Sequence, residues 1–142
     1  MTFIKVETLV RVTYGDTDAM GHAYYGNFFR WFEVGRTEWF RATGMDYRSL
    51  EQHEGIFLPV IEAHCDYKNP AFYDDLLSIH TGFEYNGRAK MQFNMEIFRQ
   101  TDNQLLATGH TVHVCLDRQR KILKIPPFLK TLMDKQTLSS LE

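Results

Sequence analysis

The sequence predicts an α+β fold in which one long helix lies against a single curved antiparallel sheet of about five strands. Three observations point there. Phe28, Phe32, Gly35, Trp39 and Ala42 recur at alternating four- and three-residue spacing, which draws one apolar stripe along a helix over residues 24–43. Segments of strand length, alternating or wholly apolar, follow from residue 56 onward. A helix aromatic along one side needs a broad cover, and a sheet supplies it. The 142 residues suit one domain, 1–142, with no internal repeat or linker.

The elements follow in order. Residues 6–14 read as a first strand, with Val6, Thr8, Val10, Val12 and Tyr14 on one face and Glu7 and Arg11 on the other. Gly15-Asp16-Thr17-Asp18 breaks it with an acidic turn. The helix ends at Gly44, a plausible C′ residue, and Gly35 within it implies a neighbour too close for a Cβ. A short second helix is expected over 47–52. Residues 56–67 form one long strand or a broken pair, stopped by Asn69-Pro70. Residues 76–85 and 89–98 flank Asn86-Gly87, a two-residue hairpin signal. Residues 105–116 form the last strand, nearly apolar on both faces, and a short amphipathic tail closes the chain after Pro126-Pro127. One helix covers one sheet face, so the apolar residues left on the other call for a partner subunit.

Composition narrows the function. Sixteen basic against eighteen acidic residues, a net charge of −2, argue against a nucleic-acid binder. No apolar run approaches the roughly 20 residues of a membrane helix, so no membrane association is expected. Lys5, Glu7 and Arg11 interrupt any signal-peptide core, and two cysteines make no disulfide framework. The expected compartment is the cytoplasm.

The chemistry concentrates ahead of the long helix. A helix N-terminus carries unsatisfied N–H groups and partial positive charge, which can hold a carbonyl oxygen as it becomes an oxyanion. A carboxylate just upstream can lie beside it, and that pairing suits acyl transfer. Asp16 and Asp18 also fit the ordinary role of turn and helix caps, the simpler reading on spacing alone.

Tyr14-Gly15-Asp16-Thr17-Asp18-Ala19-Met20-Gly21-His22, then Tyr25-Gly26-Asn27-Phe28-Phe29, then Phe32-Glu33-Val34-Gly35-Arg36-Thr37-Glu38 resemble the opening of the 4-hydroxybenzoyl-CoA thioesterase family of hotdog-fold proteins. Asp66-Tyr67-Lys68-Asn69-Pro70-Ala71, Asp74-Asp75-Leu76 and Val114-Cys115-Leu116-Asp117 resemble its later pieces. The resemblance implies a central helix wrapped by an antiparallel sheet, and hydrolysis of an acyl-CoA or acyl carrier protein thioester without metal or cofactor. It implies a homo-oligomer, a dimer or tetramer, with sites at the subunit interface. By the same resemblance Asp18 stands at the catalytic aspartate, as nucleophile or general base. Tyr25 stands where a backbone amide holds the thioester carbonyl, and His22 where one branch also has histidine. Tyrosine at 25 matches the aryl-CoA branch, whereas Gly21-His22 matches another.

Other candidates stand beside plainer readings. Arg88 and Lys90, after the hairpin turn, could meet coenzyme A phosphates across a subunit boundary, or simply be solvated. The same holds for Arg118, Arg120, Lys121 and Lys124. His113 and Cys115 share a strand face while His110 points away, so only two ligands stand together and no metal is expected. Competing functions are a 3-hydroxyacyl thioester dehydratase on the same fold and a non-catalytic acyl-thioester-binding module.

Overall fold

The computed structural model describes residues 5–139, and side chains as far as Asp134. Five strands form one open antiparallel sheet: β1 Val6–Arg11, β2 Val60–Tyr67, β3 Leu76–Tyr85, β4 Lys90–Arg99 and β5 Gln104–Leu116. Their order is β1-β3-β4-β5-β2, and a two-residue β6, Ile122–Leu123, pairs with the end of β5. The long helix α1 spans Asn27–Ala42, and α2 spans Tyr47–Gln52. α3, Pro127–Ser139, occupies the tail, whose last three residues lie outside the described chain.

The stripe packs on the sheet as its spacing predicts. The Trp39 ring centroid lies 5.2 Å from Phe83 and 5.5 Å from Phe93, and Phe28, Phe32 and Gly35 are buried. At Gly35 an added Cβ would collide with Thr81 Oγ1 and lie 3.0 Å from Ile79 Cγ2, so glycine is what lets the helix approach β3. The buried surface is wider than the stripe. Trp31 and Phe40 are fully buried too, because the helix is covered from a second side, where Phe40 meets Tyr47 of α2 at 4.8 Å. Ala42 is exposed at the helix end.

Some boundaries differ from expectation, and the open alternative at residues 56–67 is decided. β1 stops at Arg11 rather than at residue 14, because Val12 turns to bond Asp75 and the chain closes a 3₁₀ turn at Tyr14–Asp16. Residues 56–67 are the broken pair: Phe57 makes an isolated bridge to Leu116 before β2 begins. The β3–β4 connection takes four residues, 86–89, not two, and the Arg88 carbonyl turns to accept from the Ile125 N–H at 3.3 Å. On the face away from α1, β2 and β4 present mainly Glu62, His64, Asp66, Gln92, Asn94 and Glu96, so that face is more polar than expected. Exposed apolar side chains gather instead at the β2 edge, at Val60, Ile61 and Tyr67.

Candidate active site

The two aspartates of the opening motif have different surroundings. Asp16 is buried: Oδ2 accepts from the Thr13 N–H at 2.8 Å, and Oδ1 pairs with Arg30 of α1 at 2.6 Å. Its backbone carbonyl accepts from the Tyr24 N–H and from the Asn27 side-chain amide, each at 2.7 Å. Asp16 thus ties the acidic turn to the start of α1.

Asp18 sits in a second tight turn. Its N–H donates to the His22 carbonyl at 2.8 Å and its carbonyl accepts from the Gly21 N–H at 3.0 Å. Gly21 has φ +82°, a left-handed conformation that glycine adopts without strain. Oδ1 accepts from the Met20 N–H at 2.9 Å, while Oδ2 has no hydrogen-bond partner among the described residues. One carboxylate oxygen is therefore held and the other is available.

The helix start lies opposite. Tyr24 N–H is taken by Asp16, Asn27 N–H by the Tyr24 carbonyl, and Phe28 N–H by the Tyr25 carbonyl. Between them the Tyr25 and Gly26 N–H groups find no acceptor among the described residues. They are the orphan donors that a helix N-terminus leaves.

The third wall is the segment from β2 to β3. Ala23 N–H donates to the Ala71 carbonyl at 2.8 Å, and Arg99 stiffens the segment by donating to the Pro70 carbonyl at 2.7 Å and to Asp75 at 3.0 Å. Together these pieces enclose an open cavity of about 320 Å³ whose lining includes Asp18, His22, Tyr25, Phe28, Tyr67 and Lys68. A carboxylate, a helix start and an apolar floor converge there, which is the equipment for attack on a polarised carbonyl.

The sequence-predicted residues divide accordingly. Asp18, His22 and Tyr25 line this cavity. The His22 ring rests edge-on against Phe72 at 5.3 Å. Arg88 and Lys90 do not join them within one chain. Lys90 pairs with Val114 at one end of the sheet, whereas Tyr67 pairs with Ala107 beside Ile97, roughly 20 Å along the strands at about 3.3 Å per residue. Arg118 and Arg120 border a separate cavity with Phe57 and Leu116. His113 is buried and uses both ring nitrogens: Nδ1–H donates to the Leu58 carbonyl at 3.0 Å, and Nε2 accepts from the Thr111 hydroxyl at 2.9 Å. Burial pushes the Cys115 thiol up to about 11, so it stays protonated and a poor nucleophile. Tyr67 had no role assigned from sequence, although its parity with Cys65 on β2 places it on the helix side of the sheet.

Against known proteins, the thioesterase-like superfamily matches residues 12–133. The chain belongs to the thioesterase-like superfamily. Acyl-CoA thioesterase YbgC of Haemophilus influenzae is 33% identical over 109 residues, covering 76% of this chain and 78% of the relative. The crystal structure of a DHNA-CoA thioesterase from Staphylococcus aureus superposes with a TM-score of 0.86 at 29% identity, covering 97% of this chain and 93% of that one. The 4-hydroxybenzoyl CoA thioesterase from Pseudomonas shares the fold, with a TM-score of 0.82 at 23% identity over 91% of this chain and 99% of that one. The fold is the hotdog fold of these thioesterases.

Proposed function

We propose that the protein is an acyl-CoA thioesterase working at the Asp18 cavity. The observation that carries this is that one cavity is lined both by Asp18, with a carboxylate oxygen left available, and by Tyr25, whose N–H and that of the adjoining Gly26 are left available at a helix start. The thioester carbonyl would rest on the Tyr25 and Gly26 amides, which stabilise the charge that develops on oxygen. Asp18 would then attack the carbonyl carbon and expel the coenzyme A thiolate, leaving a mixed anhydride that water hydrolyses to free acid and the Asp18 carboxylate; or it would take a proton from a water that attacks the carbonyl directly and pass it to the departing thiolate. His22 would help orient substrate or water. This chemistry calls on no metal and no cofactor.

The same reading extends to assembly and place. β2 is an edge strand whose Val60 and Ile61 are about half exposed, and an unpaired edge of this kind invites a second strand. We infer a homo-oligomer, a dimer or tetramer, in which a neighbouring subunit completes the cavity and could bring Arg88 and Lys90 to the coenzyme A phosphates. No helix among the described residues is long and apolar enough to cross a membrane, and we infer a cytoplasmic enzyme.

The test is thiol release over short, medium, long and aromatic acyl-CoAs, with an acylated carrier protein and an enoyl-CoA alongside. Thiol released in step with free acid supports the thioesterase. Conversion of the enoyl substrate without thiol release supports the dehydratase, and binding without turnover supports a binding module.

A further inference from the structure

We propose that Tyr67 is a positioning residue for the oxyanion site: from the end of edge strand β2, its hydroxyl holds and polarises the peptide unit that joins Tyr25 to Gly26. The proposal rests on the thioesterase reading of the cavity. The Tyr67 hydroxyl donates to the Tyr25 carbonyl at 2.9 Å, and the same oxygen accepts from the Phe28 N–H at 3.2 Å. The Tyr25 carbonyl and the Gly26 N–H belong to one amide. Two donors on its oxygen draw electron density away from the nitrogen, so the Gly26 N–H becomes a stronger donor at the moment an oxyanion needs it.

The bond also fixes direction. The peptide plane between residues 25 and 26 is held from the helix side by Phe28 and from the sheet side by Tyr67, which are 5.1 Å apart as rings. The Tyr67 ring meets Tyr25 edge-on at 6.2 Å, so the turn carrying both free N–H groups cannot pivot without losing these contacts. Gly26 has ordinary helical angles, φ −63° and ψ −23°, so its backbone does not require glycine. A Cβ there would lie 2.9 Å from the Tyr24 ring, so glycine lets that ring sit against the turn. Burial, with Cys65 and Tyr25 nearby, pushes the Tyr67 phenol up to about 12, so it donates across the whole neutral range.

Tyr67 is 45% exposed, so Tyr67→Phe removes the hydroxyl while leaving the ring packing in place. The expected result is a kcat lowered about 3- to 10-fold, below the loss from deleting a direct oxyanion donor, with KM changed by less than about twofold. A second readout isolates polarisation. In the Asp18→Asn protein, benzoyl-CoA with an isotope-labelled thioester carbonyl shows that carbonyl's infrared stretch moved to lower frequency, and adding Tyr67→Phe reduces the movement. A residue that only stabilises the fold would lower the unfolding midpoint and leave the stretch unchanged. An unchanged kcat, a rise in KM alone, or an unchanged stretch overturns the assignment. A wild-type protein that releases no thiol overturns the thioesterase reading and this assignment together, whereas normal wild-type turnover matched by Tyr67→Phe overturns the assignment alone.

Discussion

The two halves of α1 meet very different surroundings. Around Gly35, Trp39 and Phe40 the helix is sealed: rings pack tilted or edge-on within 6 Å of Phe83, Phe93 and Tyr47, and a Cβ at Gly35 would collide with Thr81. Around Tyr25 and Gly26 it is open: Tyr25 and Asp18 line a cavity, and two backbone N–H groups and one Asp18 oxygen have no hydrogen-bond partner among the described residues. Close packing at one end fixes the helix, so the donors at the other end are aimed without reorganisation, which is what stabilising a developing charge requires. Stability and activity should therefore respond to different residues.

Substitutions at the open end test activity first. Asp18→Ala should lower kcat/KM by roughly 10²- to 10⁴-fold, about 3–5 kcal/mol of transition-state stabilisation, with unfolding stability within about 0.5 kcal/mol of wild type. A large stability loss would show that the two halves are not separable. At the sealed end, Trp39→Ala should cost about 3–5 kcal/mol in urea unfolding, because a fully buried indole leaves a cavity behind.

His113 lies under the sealed half and gives that half a pH signature. Burial is the main cause that lowers it to about 4, and Arg36 adds to the effect. The unfolded chain titrates near the ordinary 6.5, so between these values the unfolded state binds more protons. Stability should be complete above about pH 6.5 and fall as pH drops toward 4, by about 3 kcal/mol in all. Unfolding curves of wild type and His113→Gln across that window check it, and the variant should show the shallower slope. The smallest effect is expected for Gly35→Ala, where one methyl pressed on Thr81 and Ile79 should cost about 1–3 kcal/mol and leave kcat unchanged if the helix start stays in place.

Much of this contrast was legible in the sequence. The stripe from Phe28 to Trp39 announces a covered helix through its spacing alone, and Gly35 within it announces a close approach. Asp18 ahead of a helix start marks the candidate site through its resemblance to a known motif. Burial of Trp31 and Phe40 was not legible, because it depends on what α2 and the loops do on the helix's second side. The link from Tyr67 to Tyr25 spans 42 residues and arises only when β2 takes its place at the sheet edge. The early end of β1 follows from Asp16 bonding back to Thr13, a local competition that strand periodicity does not register.

The measurement that bears most directly on the site is a crystal structure of the Asp18→Asn protein with benzoyl-CoA bound intact. The thioester carbonyl oxygen is predicted within about 3 Å of the Tyr25 or Gly26 nitrogen, with residue 18 beside the carbonyl carbon. A thioester bound elsewhere, or a carbonyl turned away from the start of α1 in that cavity, would contradict the account.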